Sequence, residues 1–372
     1  MIVKDLENKS VVWFQNSNQY LVLEPMAASI IKALSQHQKI EEIAAVLEKE
    51  LEVPFEKAID FIIDIEEKIV KPNQEAKKSV EQSQSSYSIP EDFEVTKFYL
   101  INSKVFKVQF SNEFEVSLIH PKFSHLETSE IVEPHHTLQV FNNGSHTLLL
   151  MNDHLIGSWN QKDIHYFQGK FSMKVIESIY DKPEENWMGV FHASALGNQE
   201  NSVLVLGDSG NGKSTSLALL QAHGFHCIAD DFVPVDFQKN VHSFPAGISI
   251  KKNSLQTLLS YYPELESSAE FHYKRLNKVV RYLPPKDINY QKKYPCKAFI
   301  FIKYNRAVDF EFEEITQLEA FQNLIPDSWI SQEPKNVTAF LDWFSSLPCY
   351  QLTYSINERM IEKVRNILND EL

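Results

Sequence analysis

Glycine is scarce in this chain, with 10 in 372 residues, so three of them at Gly207, Gly210 and Gly212 answer a local demand. Cysteine is scarcer still. Cys227, Cys296 and Cys349 are odd in number, far apart and set among apolar residues. That excludes a disulfide framework and reads as buried free thiols in a reducing compartment. No stretch approaches the ~18 consecutive apolar residues of a membrane-spanning helix, and the opening Met1-Ile-Val-Lys-Asp5 brings charge at once, without the apolar core of an export signal. A cytoplasmic location is expected, with no membrane partner. Positive charge is also short: 36 Lys and Arg against 50 Asp and Glu leave a net charge of −14. This argues against nucleic acid as a partner, because nonspecific phosphate binding needs a net positive surface. A single nucleotide stays open, since a glycine-rich loop binds phosphate through backbone N–H groups and one lysine.

What is present is a globular composition, 43% apolar and 12% aromatic, enough to build cores for two or three domains. The chain is organised around Ser202-Val-Leu-Val-Leu-Gly-Asp-Ser-Gly-Asn-Gly-Lys-Ser-Thr-Ser216. Its alternating Val and Leu predict a buried strand, Gly207 to Thr215 fits G-x-x-x-x-G-K-[ST], and a helical apolar pattern follows. This is the pattern of a phosphate-binding loop. Gly207, Asp208, Ser209, Gly210, Asn211, Gly212, Lys213, Ser214 and Thr215 would then cradle ATP, with the helix dipole adding to the field. In that role Lys213 reaches the β- and γ-phosphates and Ser214 holds Mg²⁺. An ordinary Gly-rich turn between strand and helix is the alternative.

Along the chain, Ser10–Phe14 and Gln19–Leu23 predict a hairpin, and helical patterns follow over 26–34, 40–51 and 54–70. Residues 1–72 thus form a small winged-helix-sized domain. Residues 73–92, rich in Gln, Ser, Lys and Glu, read as a linker that leaves the first domain free to reposition. Short alternating runs over 93–185, with the hairpin signal Asn142-Asn-Gly-Ser145, predict a mostly antiparallel β-rich subdomain closed by a helix near 164–179. Residues 186–372 carry the loop, a helix ending at Gly224, strands at 225–229, 298–302 and 350–354, and a closing helix over 357–368. The expected class is α/β, α+β overall.

Asp230 and Asp231 end the strand after the loop's helix. Strand carboxyl ends face the ligand in α/β nucleotide sites, so one acid can bind Mg²⁺ and the other accept a hydroxyl proton. A solvated or helix-capping pair is the plainer alternative. Phe271 to Pro285 gathers Lys274, Arg275, Lys278 and Arg281. These are cations able to neutralise a transferring phosphate, or simply a solvated face; Arg281 is the preferred functional member and Lys251 a weaker candidate.

Two resemblances rest on these residues. Residues 1–72, with Tyr-Leu-Val-Leu before a small-residue helix, then Ile-Glu-Glu-Ile-Ala and a Val-Pro-Phe-Glu-Lys-Ala helix, resemble PqqD-like domains. The resemblance implies binding of a ribosomal peptide's leader along a strand edge. Phe191-His192, the 207–214 loop and Gly224-Phe-His-Cys-Ile-Ala-Asp-Asp-Phe-Val resemble the core of the HPr kinase/phosphorylase family, itself similar in fold to PEP carboxykinase. His192 stands fifteen residues before Gly207, and Asp230 and Asp231 stand twenty-three and twenty-four after it, which repeats the family spacing. That resemblance implies Asp231 as catalytic base, His192 as its partner and Asp230 as a metal ligand. It is strongest over 185–250 and loose to 372. The family's later signature loop has no counterpart here, so phosphorylase activity is without support. The expected function is an ATP-dependent kinase acting on a hydroxyl of a peptide or protein. The alternatives are a small-molecule hydroxyl kinase, or a nucleotide-binding switch or peptide-binding module without transfer. The acceptor, the nucleotide preference and the oligomeric state do not follow from the sequence.

Overall fold

Strand Lys9–Phe14 explains how the first 75 residues sit on the rest. Side chains alternate faces along a strand, and here both faces are buried. Val12 and Phe14 pack on the helices of their own unit, while Val11 and Trp13 join the core of the remainder of the chain. A computed structural model describes residues 1–75, 87–129, 133–144, 146–273 and 278–371. Most of the predicted linker, and the expectations placed on Lys274, Arg275 and the side chain of Lys278, lie outside what is described.

The first unit is a three-stranded antiparallel sheet, Ile2–Leu6, Lys9–Phe14 and Gln19–Leu23, covered by helices Pro25–Ser35, Ile40–Leu51 and Phe55–Ile65. The strand Ile2–Leu6 extends the predicted hairpin, and the third helix continues through a π-helical turn, Glu66–Val70. The expectation of a freely repositioned domain is corrected by the interface. The Tyr20 ring meets Phe321 and Phe340 edge-on at 5.9 and 6.2 Å, Lys4 pairs with Asp342 at 2.6 Å, and Glu7 accepts from the Gln317 N–H at 2.7 Å.

The β-rich subdomain is a five-stranded sheet in the order Val95–Ile101, Lys104–Phe110, His136–Asn143, His146–Met151, His154–Asn160. One neighbour pair, the second with the third, is parallel. A parallel pair needs a crossover, and helix Glu113–Phe123 lies in it, capped by the Asn112 side chain, which accepts from the Phe114 and Glu115 N–H groups. Sequence periodicity missed this helix. Helix Ile164–Tyr180 packs beside it where one was expected.

The remainder is built on a ten-stranded mixed sheet. Ser202–Leu206 lies parallel to Tyr294–Tyr304, which lies parallel to Cys349–Tyr354; on its other side Ser202–Leu206 pairs antiparallel with Ser194–Gly197. Val190, Phe191, Leu204 and Phe299 face one core, and Val203, Val205, Leu217 and Ile300 face another beneath helix Lys213–Ala222. That helix ends as its sequence dictates. Gly224, at φ +89°, donates to the Gln221 carbonyl, and Phe225 donates to Leu220, a left-handed stop that favours glycine. A small sheet, Ile248–Lys251, Lys278–Leu283 and Phe271–Tyr273, stands beside the helix. The closing helix spans Asn357–Leu368 as expected. All three cysteines are buried and free. Among the described residues no helix is long and apolar enough to cross a membrane.

Candidate functional site

Strand Ser202–Leu206 is buried throughout and aims its carboxyl end at the loop. Gly207 turns the chain at φ +133°, where an added Cβ would stand 2.7 Å from the Ile302 carbonyl oxygen. Gly210 and Gly212 adopt φ of +106° and +98°, and helix Lys213–Ala222 starts directly after them. The loop is pinned from below: Tyr304 donates its N–H to the Asn211 carbonyl at 2.9 Å, and Ser216 Oγ lies 2.8 Å from the Tyr354 hydroxyl. The first N–H groups of any helix lack intrahelical partners and carry partial positive charge. Lys213 is buried, its Nζ turned onto the Gly207 and Asp208 carbonyls. Burial lowers its pKa, against the charges of Asp231, Asp230, Asp327 and Asp208.

Strand His226–Asp230 delivers the two carboxylates to very different surroundings. Asp230 is buried, accepting from Ser194 Oγ at 2.6 Å, Ser214 Oγ at 3.2 Å and the Ser249 N–H at 3.0 Å. Burial and then the Asp231 charge push its carboxyl above the ordinary range, against those three donors. Asp231 adopts φ +66°, a left-handed conformation uncommon outside glycine, and its carboxylate is 34% exposed. Lys122 Nζ lies 3.1 Å from its Oδ2, and His192 Nδ1 lies 3.7 Å from its Oδ1. Burial pulls the Asp231 carboxyl upward, but Lys122 and His192 outweigh it and bring it down to about 2. One carboxylate is thus ionised and accessible, and the other buried and hydrogen-bonded.

His192 follows strand Trp187–Phe191, is 42% exposed, and donates its backbone N–H to the Asp327 carbonyl at 3.3 Å. With Gly207, Asp208, Asn211, Lys303 and Asp327 it lines a cleft of about 240 Å³ beside the loop. Lys251 Nζ reaches Ser209 Oγ at 3.2 Å, so this cation also meets the loop. Thr215 Oγ1 is hydrogen-bonded to Ser254 Oγ at 2.7 Å, away from the carboxylate pair.

The loop, Lys213, Ser214, both aspartates, His192 and Lys251 therefore converge. Arg281 is placed differently. It neighbours Tyr282 on strand Lys278–Leu283 and so projects to the opposite face, where it pairs with Glu270 at 2.6 Å and not with Asp230 or Asp231. Tyr282, on the inner face, shares a 2.9 Å hydrogen bond with the Tyr273 hydroxyl. Burial raises both phenols, and the Asp231 charge adds to the effect. Sequence reasoning missed Lys122, Tyr273, Tyr282 and Asp327. Lys122 belongs to the helix Glu113–Phe123 that periodicity did not find, and no local motif surrounds it. Among the described residues no group of three or more His, Cys, Asp or Glu is arranged to hold a metal ion. Ser214 beside Asp230 offers one hydroxyl and one carboxylate, which suits a hard cation that takes its other ligands from phosphate and water. Compared with known families and curated proteins, the chain matches no family model and no curated sequence.

Proposed function

We propose that the chain is an ATP-dependent kinase of HPr-kinase type that transfers the γ-phosphate to a hydroxyl of a peptide or protein. The observation that carries the reading is Asp231: an accessible, ionised carboxylate held beside His192, in the charge field of the lysine that the glycine-rich loop presents. A binder without transfer chemistry has no use for a base there. In the proposed reaction the acceptor hydroxyl gives its proton to Asp231 while its oxygen bonds to the γ-phosphorus, and the bond to the β-phosphate oxygen breaks, releasing ADP. Phosphoryl transfer is mainly positioning and charge neutralisation, so a carboxylate of low pKa serves by orienting the hydroxyl and taking its proton late. Lys213 and the helix N-terminus would neutralise the phosphates. Ser214 and Asp230 would hold Mg²⁺, which would supply positive charge to neutralise the phosphates.

The acceptor would dock on the first unit, read as PqqD-like. Among the described residues strand Gln19–Leu23 pairs on one side only, and an extended peptide can add to such an edge through backbone hydrogen bonds. One observation favours a second reading, a small-molecule acceptor with a structural first unit: that unit shares a core with the rest of the chain. The deciding experiment incubates the protein with ATP, Mg²⁺ and short peptides encoded beside its gene and reads phosphate transfer by mass spectrometry. A peptide gaining one phosphate, lost in Asp231→Asn, supports the first reading. Turnover only with small hydroxyl compounds supports the second, and no transfer with either refutes the kinase.

A further inference from the structure

The cleft of about 240 Å³ beside the glycine-rich loop opens next to Asp231. His192 lines it, and the same ring sets its Nδ1 3.3 Å from the Asp231 carbonyl oxygen and 3.7 Å from Oδ1. Sheet register and one helix fix the other polar walls. Lys303, on strand Tyr294–Tyr304, lies opposite Thr353, and Gln351 lies opposite Phe301. Asn323 comes from helix Gln317–Leu324. Asp327 ends the turn before strand Ser328–Ile330, which pairs with Trp187–Phe191 immediately ahead of His192. These groups are uncommitted: among the described residues the side chains of Lys303, Asn323, Asp327 and Gln351 make no hydrogen bond or ion pair. An apolar ligand would strand them away from water. A ligand that matches them carries a positive charge, a negative charge and amide groups, which a short polar stretch of peptide offers.

We propose that this cleft is the acceptor subsite and that it selects a hydroxyl residue flanked by one basic and one acidic side chain, the basic one pairing with Asp327 and the acidic one with Lys303. The proposal rests on the kinase reading of Asp231, but the cleft is testable without turnover. Asp208 also lines the cleft, yet it rides on the loop that the nucleotide would occupy, which leaves Asp327 as the acid for an acceptor. The nucleoside of the donor fits the cleft less well. It is two phosphates removed from the reacting phosphorus, whereas His192 borders both the cleft and Asp231. The volume also lies below the ~300–1,000 Å³ of a pocket that encloses a whole drug-sized ligand, so the cleft suits a few side chains of an otherwise exposed chain.

The test uses the full chain with ADP and Mg²⁺ and a set of peptides capped at both ends: Gly-Lys-Ser-Glu-Gly, Gly-Glu-Ser-Lys-Gly, Gly-Lys-Ser-Lys-Gly, Gly-Glu-Ser-Glu-Gly and Gly-Gln-Ser-Gln-Gly. Binding is read by saturation-transfer NMR. One of the two mixed orders should bind about three- to tenfold more tightly than the other and than the neutral peptide, a range between an exposed ion pair and a hydrogen bond to a charged group. Asp327→Lys combined with Lys303→Glu exchanges the two charges of the cleft and should exchange the preferred order. Both positions are exposed, so the double variant should fold. A parent that binds both orders equally overturns the proposal, as does a preference that survives the exchange, or no binding of any peptide at ~10 mM. Should the double variant misfold, Asp327→Asn alone should narrow the preference, and a preference kept in full overturns the proposal. With ATP, kcat/KM for the peptides should follow the same order. Absence of transfer with the exchange of order intact would remove the kinase reading and leave a peptide-binding cleft; transfer to all the peptides alike would overturn the cleft's role and leave the kinase.

Discussion

Replacing Tyr20 tests whether the first unit is built into the molecule. Its ring meets two phenylalanines of the second part edge-on, and among the described residues its buried hydroxyl has no hydrogen-bond partner. Two consequences of opposite sign follow. Tyr20→Ala removes a large aromatic side chain from the shared core, a loss of about 3–5 kcal/mol for rings of this size, including ~0.5–1.5 kcal/mol for each edge-to-face contact. Tyr20→Phe keeps the ring and deletes an unsatisfied polar atom, so it should be neutral or stabilise by up to about 1 kcal/mol. Urea unfolding followed by tryptophan fluorescence reads both, because Trp13 is fully buried on the same strand face as the interface. The parent should unfold without a separate early phase for the first unit. Tyr20→Ala should move the midpoint down and reveal such a phase, in which Trp13 reports first. A cost below ~0.5 kcal/mol for Tyr20→Ala, the range of an ordinary surface change, would refute the shared core, as would a Tyr20→Phe variant as unstable as the alanine.

Lys213→Ala should abolish nucleotide-dependent activity while leaving the circular dichroism spectrum unchanged; isothermal titration with ATP showing parent-like affinity would remove the phosphate-loop assignment. Asp231→Asn should keep nucleotide binding and lose transfer by a factor of about 10²–10⁴, the size of a general-base contribution. Asp230→Asn should instead raise the Mg²⁺ concentration needed for half-maximal turnover, and equal, small effects from both would reduce the pair to a structural feature. Gly207→Ala places a Cβ 2.7 Å from a backbone carbonyl oxygen in a positive-φ conformation. Backbone strain of this kind costs about 1–3 kcal/mol, so nucleotide binding should weaken by about 5- to 150-fold if that strain is carried into the bound state, and Gly210→Ala, which meets nothing within 4 Å, should be the milder of the two by calorimetry.

The glycine-rich loop, the helix after it and the strand carrying Asp230 and Asp231 were legible because their signals are local. Gly207, Gly210 and Gly212 do adopt positive φ, and the strand before them is buried along its whole length. His192 has no local signal of its own and follows only from the family resemblance; its Nδ1 lies 3.3 Å from the Asp231 backbone carbonyl oxygen and 3.7 Å from its Oδ1. Lys122 was illegible because its helix hides its period: Glu115 is fully buried and Pro121 lies inside. The strand Ile2–Leu6 was missed since Lys4 and Asp5 interrupt its apolar pattern. Val11-Val12-Trp13-Phe14 was read as half of a hairpin, whereas an unbroken apolar run is also what a strand buried on two faces requires. Arg281 was chosen for its charge, and a shift of one position along a strand turns a side chain to the other face.

That two-faced strand also changes what an acceptor would experience. On a loose tether, any hydroxyl in a docked peptide would visit Asp231, and selection would rest on local concentration. With Val11 and Trp13 locked into the second part of the molecule, the open strand edge at Gln19–Leu23 and the carboxylate stand at a set separation. Under the proposed function the protein would then act as a ruler: the modified hydroxyl would be chosen by how many residues lie between it and the docked segment. Lengthening or shortening that spacer would shift phosphorylation to a different residue and leave affinity unchanged.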